Sequence, residues 1–180
     1  MISNLSSFAS ALAGIVAITG LYAAFLRARK SHVIRPKSLE EMMEIGAEKA
    51  VGRAHSRYEV TLDFTPASLL GVDAVLLRIH REFTVAPRLV DVNSLAFVFG
   101  SYVGETIRRN HTDCAWERNH VEGGENSYPL HWGQGTSFPI GWCIRCIRNG
   151  EEESVWMNYE RAKDMSEGQP DVKHRTATAS

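Results

Sequence analysis

The sequence predicts an α+β fold: three to four helices packed on a small antiparallel sheet, preceded by one amino-terminal transmembrane helix. Three observations predict it. Residues 8–26 form an uncharged apolar run. Three later segments repeat apolar residues at steps of three and four, the spacing of an amphipathic helix. Between residues 114 and 132, two short tryptophan-bearing runs flank a glycine-rich turn, the pattern of a hairpin. The chain divides accordingly into an anchor (1–30), a basic linker (31–37), an α+β domain (38–163) and a disordered tail (164–180).

Composition bounds what the domain does. At 180 residues and 44% hydrophobic content, one folded domain is expected. Lys and Arg number 20 against 21 Asp and Glu, so the net charge of −1 offers nothing that would attract nucleic acid. Three cysteines are too few for a disulfide framework and fit a reducing compartment.

Phe8 to Leu26 holds 19 residues without a charge. As a helix it spans roughly 28 Å, close to the hydrocarbon thickness of a bilayer. Arg27, Arg29, Lys30, Arg35 and Lys37 follow it, and no Lys or Arg precedes it. The positive-inside rule then leaves the amino terminus outside and the domain in the cytoplasm, as a single-pass inner-membrane protein. A signal peptide would carry its charge before the run and a small-residue cleavage site after it. Ser10, Ala13, Gly14 and Ala17 have the small-residue spacing through which two anchors would pack, so self-association is a possible role.

Each element of the domain has its own reason. Ser38 with Glu41 is a capping-box pattern, and Leu39, Met42, Met43, Gly46, Ala50 and Ala54 give the helix it opens one face to about Ser56. Val60, Leu62 and Phe64 alternate with polar residues and predict a short strand. Thr65-Pro66 starts a helix to about Phe83, with Leu69, Val72, Leu76 and Ile79 inward and Asp73 toward solvent. A central helix starts near Leu89 or Asp91. Its stripe is Val92, Leu95, Phe99, Tyr102, Val103, Thr106 and Ile107, with Ser94, Ser101, Glu105 and Arg108 mainly opposite. Gly100 and Gly104 lie one turn apart within it. Each costs about 1 kcal/mol against alanine, so a close backbone neighbour, the 60–64 strand or the sheet edge, is expected there.

Cys114 to Glu117 and Ser127 to Trp132 read as paired strands around Gly123 to Asn126, with a further turn at Gly133 to Thr136 and a brief strand at Ser137-Phe138. Pro139 begins a helix with Ile140, Cys143 and Cys146 inward, closed by an αL cap at Asn149-Gly150. Glu151 to Glu153 suit the positive end of a last helix, whose face is Val155, Trp156, Tyr159 and Ala162. From Asp164 the chain is polar and aperiodic.

The segments LDFTPASLLGVD (62–73), FGSYVGETIRRN (99–110), CAWE (114–117) and RCIRNGEEESVWMNYERA (145–162) resemble an uncharacterised bacterial domain family. That family pairs a G-x-Y-[LV]-G-E-x-[LI]-R-R helix with a following tryptophan-bearing strand, then an asparagine-glycine turn and an acidic helix. The likeness covers residues 58 to 162. It implies an α+β fold and carries no established activity. Where the family has a glycine pair before the strand tryptophan, this chain has Thr112 to Ala115.

Three constellations bear on chemistry. Glu105 precedes Arg109 by four residues and Arg108 by three, spacings that favour ion pairs on a helix. With His111 they form the expected binding face, read either as a surface pair or as a carboxylate held to organise a partner site. Cys143 and Cys146, with Cys114 and His111, make a superficial zinc set. The pair lies on an apolar helix face, so core packing is expected and neither a metal nor a cofactor. His111, Asp113, His120 and His131 gather in the later loops and strands, and an enzyme using His111, Asp113 and Cys114 is the alternative function. Trp116, Trp132, Trp142 and Trp156 belong mostly to the core. The leading expectation is a membrane-anchored domain that binds a protein or ligand. A membrane assembly factor is the third class.

Overall fold

The computed structural model describes residues 36–121 and 123–167. The expected anchor and most of the basic linker and tail lie outside them. Among the described residues, no helix is long and apolar enough to cross a membrane.

The domain is α+β, with five α-helices on a three-stranded antiparallel sheet. The helices are α1 (Leu39–Tyr58), α2 (Leu69–Val85), α3 (Val92–Asn110), α4 (Pro139–Asn149) and α5 (Val155–Glu167). The strands are β1 (Ala115–Trp116), β2 (Leu130–Trp132) and β3 (Gly135–Ser137), in sheet order β1-β2-β3. Five helices exceed the three to four of the expected class, although each of the five segments was expected to be helical on its own; a 3-10 turn at Gly150–Glu152 separates α4 from α5.

Local chemistry sets the helix starts. Ser38 Oγ accepts the Glu41 N–H at the head of α1, and the Asp91 carboxylate accepts the Ser94 N–H at the head of α3. Pro139 occupies the first position of α4, where its missing N–H costs nothing. The last helix departs from expectation. It starts at Val155 rather than in the glutamate run, and it continues to Glu167, past the point where the tail was expected. Asp73 of α2, expected toward solvent, shares its capping with Ser154, whose Oγ accepts the Met157 N–H at 3.1 Å. The carboxylate accepts the N–H groups of Val155 (2.7 Å) and Trp156 (3.1 Å) and the Ser154 hydroxyl (2.7 Å). A carboxylate from 82 residues away thus satisfies donors that a local glutamate was expected to face.

α3 is the spine. It packs on α1 along one side and on α4 along another, while α4 and α5 both rest on α2. Phe99 to Ile107 are buried without a break. Ser101 and Glu105, expected on the polar side, are therefore fully enclosed. The two glycines explain how neighbours come so close. A Cβ on Gly100 would lie 2.5 Å from the Ile140 Cα of α4, and one on Gly104 would overlap the Trp116 ring of β1. The α4 backbone, not the 60–64 segment, is thus the neighbour at Gly100, while at Gly104 the neighbour is a side chain of the edge strand rather than a backbone.

Residues 60–64 form no strand. Their alternation is real, since Leu62 is buried, but no β-partner faces them. Phe64 instead takes a left-handed φ of 62°, which turns the chain into α2. It is held there by four contacts. Its N–H donates to the Tyr102 hydroxyl (2.8 Å), its carbonyl accepts Asn110 Nδ2–H (2.8 Å), and its ring packs against both the Tyr102 ring and the Arg109 guanidinium.

The sheet has two unlike faces. Trp116, Leu130, Trp132 and Ser137 point into the core, and the Trp132 indole donates to Ser137 Oγ at 2.9 Å. Ala115, His131 and Thr136 alternate with them and point outward.

Candidate functional site

The polar residues singled out from the sequence are distributed over three environments. Glu105 is 0% exposed. Its carboxylate accepts the Trp116 indole N–H at 2.9 Å and a two-pronged contact from Arg108, through Nε (3.0 Å) and a terminal nitrogen (2.7 Å). Arg108 also reaches Glu44 of α1 at 2.8 Å. The charge is thus neutralised inside the fold, as a buried carboxylate requires. These hydrogen bonds to Glu105 hold the Arg108 guanidinium even higher than its ordinary value. The expected Glu105–Arg109 pair does not form. Arg109 instead lies 3.5 Å over the Phe64 ring centroid and 3.9 Å from Glu48.

His111 ends α3. Its Nε2 lies 3.1 Å from the Tyr159 hydroxyl of α5, and its ring packs 4.6 Å from that of Trp132. Asp113 is exposed, with a left-handed φ of 55°. The Cys114 thiol points to the carbonyls of His111 and Thr112, and burial pushes its pKa up, which disfavours the thiolate a nucleophile needs. Cys143 and Cys146 are buried in α4. Burial raises the Cys146 thiol to about 12 and takes that of Cys143 well above its ordinary value. Both behave as small apolar groups of the core.

The outward face of the sheet brings together what remains. His131 stands on the central strand. Glu117 follows β1, its N–H donating to the Pro129 carbonyl at 3.0 Å, which extends the ladder one residue past Trp116. The two side chains meet, His131 Nε2 to Glu117 Oε2, at 2.6 Å. On the other side of the same ring, Thr136 Oγ1 lies 3.0 Å from Nδ1.

His120 arrives from the turn. Asn119 has a left-handed φ of 61°, and its Oδ1 accepts the Asn126 N–H at 2.8 Å. The His120 N–H donates to Ser127 Oγ at 3.0 Å, while its carbonyl accepts the N–H groups of Gly123 and Gly124. This fixes the backbone of His120, and its ring lies 5.9 Å from that of His131 and edge-on to Phe138. One ligand atom from each of Glu117, His120 and His131 lies within 4.8 Å of the others.

A cleft of about 220 Å³ opens beside this trio. Tyr128, Phe138, Ile140 and Ile144 make its apolar lining, with exposed Glu125 and Asn126 at its edge. Phe138 and Ser127 belong to both places, since each touches His120 and each lines the cleft. A second cleft of about 230 Å³ lies at the Gly150 turn, where Asp73 is already committed to capping α5.

Glu117 was absent from the expected site. The signal that locates it is the alternation of the hairpin. With Trp116 and Leu130 inward, Glu117 and His131 share the outward face, once the register sets Trp116 opposite Leu130. No known protein family, curated relative or solved structure matches the chain.

Proposed function

We propose that this chain is a membrane-tethered interaction domain whose cleft beside the sheet receives an apolar side chain of a protein partner. The amino-terminal apolar run and the basic residues after it support a single span of the inner membrane with the domain in the cytoplasm. The dimensions of the cleft carry the rest of the reading. At about 220 Å³ it falls below the roughly 300–1,000 Å³ of pockets that enclose substrates or cofactors. An apolar floor with a polar edge is also the anatomy of a protein interface. Two of the three residues offered for catalysis are engaged elsewhere: His111 with Tyr159 and Trp132, and Cys114 with two backbone carbonyls.

Site-directed photo-crosslinking of the full-length chain in its native membrane tests this. A photoreactive residue replaces Ile144 at the cleft or, as a control, the exposed Glu40 on α1. A discrete adduct is expected from position 144 and none from position 40. Gly141→Gln fills the cleft without a backbone clash, since a Cβ there meets nothing closer than 3.6 Å. It leaves the melting temperature unchanged or raised and abolishes the adduct. Failure of position 144 to crosslink, or an adduct that survives Gly141→Gln, overturns the reading.

A further inference from the structure

We propose that Glu117, His120 and His131 form a binding site for a divalent cation of the zinc class on the outward face of the sheet. The ligands are two imidazoles and one carboxylate, a donor set that suits zinc and its first-row neighbours. They come from three places in the fold: the end of β1, the turn after it, and the central strand. A partly exposed His–Glu pair alone contributes little to stability. What distinguishes this one is the second imidazole, brought in on a backbone that Ser127, Gly123 and Gly124 hold in place.

The distances are compatible with a shared ion. Bonds of about 2.0–2.1 Å in a tetrahedral site put ligand atoms roughly 3.3 Å apart. The 2.6 Å His131–Glu117 contact opens by less than 1 Å to reach that spacing, and the widest separation, within 4.8 Å, closes by about 1.5 Å. Rotation of the side chains covers both movements. A carboxylate only accepts, so in the ion's absence His131 Nε2 donates to Glu117, while Nδ1 shares a hydrogen bond with Thr136 Oγ1. With the ion on Nε2, the proton sits on Nδ1 and donates to the same hydroxyl. Thr136 thereby orients the ligand ring from behind, as outer partners of metal-bound histidines do. Three protein ligands leave one position for water or an incoming group. This site does not depend on the cleft being a partner surface.

The experiment is calorimetric titration of zinc chloride into the full-length chain, purified in detergent and stripped with chelator. One zinc per chain is expected. Thr136→Val, at an exposed position, weakens binding about tenfold, and His120→Gln weakens it by at least about tenfold. Cys114→Ser leaves affinity unchanged. Imidazole NMR of the unmutated chain gives a second measurement independent of folding in any variant: zinc shifts the His120 and His131 signals and leaves the exposed His55 in place. The proposal is overturned if no zinc binds, if His120→Gln binds as tightly as the parent chain, or if zinc leaves the His120 and His131 signals unmoved.

Discussion

The Trp116 indole donates to the buried Glu105 carboxylate at 2.9 Å, and the same ring fills the space where Gly104 lacks a side chain. One turn of α3 thus supplies both the gap and the acceptor for the only tryptophan of β1. Glu105→Ala removes an acceptor that the indole and Arg108 both use, and is expected to cost about 3 kcal/mol in urea unfolding. Glu105→Gln keeps an acceptor for the indole and costs roughly half as much. Glu48→Ala, at a loose exposed pair, stays within about 0.5 kcal/mol. Equal effects at Glu105 and Glu48 would show that the carboxylate is only solvated.

Glycines in the helices are expected to respond with opposite signs. Gly100→Ala gains about 1 kcal/mol of helix propensity but drives its Cβ into the α4 backbone at Ile140, for a net loss of about 1–3 kcal/mol. A Cβ on Gly52 of α1 meets nothing within 4 Å, so Gly52→Ala stabilises by up to about 1 kcal/mol. Thermal denaturation of the two variants against the parent chain reads the difference in sign.

Asp73→Ala removes the long-range part of the α5 cap, leaving Ser154 Oγ on the Met157 N–H, and is expected to cost about 2 kcal/mol because the carboxylate serves three donors. Hydrogen exchange locates the effect. Protection falls first at Val155 and Trp156, whereas the α3 amides keep theirs in conditions where the domain remains folded.

The thiols of α4 predict alkaline destabilisation. An unfolded chain releases the Cys143 and Cys146 protons near pH 9, while the folded chain keeps them, Cys146 to about 12. Above pH 9 the unfolded state therefore binds fewer protons, and stability falls as pH rises. The contribution is present in full below pH 9 and is lost between 9 and about 12. Melting temperatures across that range decline less steeply for Cys146→Ala than for the parent chain. At pH 8 an alkylating reagent modifies Cys143 and Cys146 only after unfolding.

Apolar stripes and some helix starts were readable because their causes are local, whereas Thr65 makes no side-chain cap bond and Gly150, at φ 66° and ψ −129°, is not the αL cap expected. Ser38 and Pro139 act within one turn, and the stripe through Phe99, Tyr102 and Ile107 follows the helical period. Residues 60–64 misled because alternation reports burial on one side, not a hydrogen-bonded partner. Glu105 misled for a related reason. A stripe along α3 implies an exposed reverse side, but contacts with α1, α4 and β1 enclose this helix from several directions. Nothing within one helix signals that its neighbours surround it.

The sequence by itself determined the α+β class, the apolar stripes of the helices, the hairpin with its glycine turn and the inward place of the α4 cysteines. These follow from periodicity and backbone preference over a few residues. Tertiary structure alone decided that Glu105 is a buried acceptor, that Asp73 caps a helix 82 residues away, and that Glu117 stands beside His131 and His120. Each depends on strand register or on the packing of distant elements, so the partner of each charged group is settled only when the chain closes on itself.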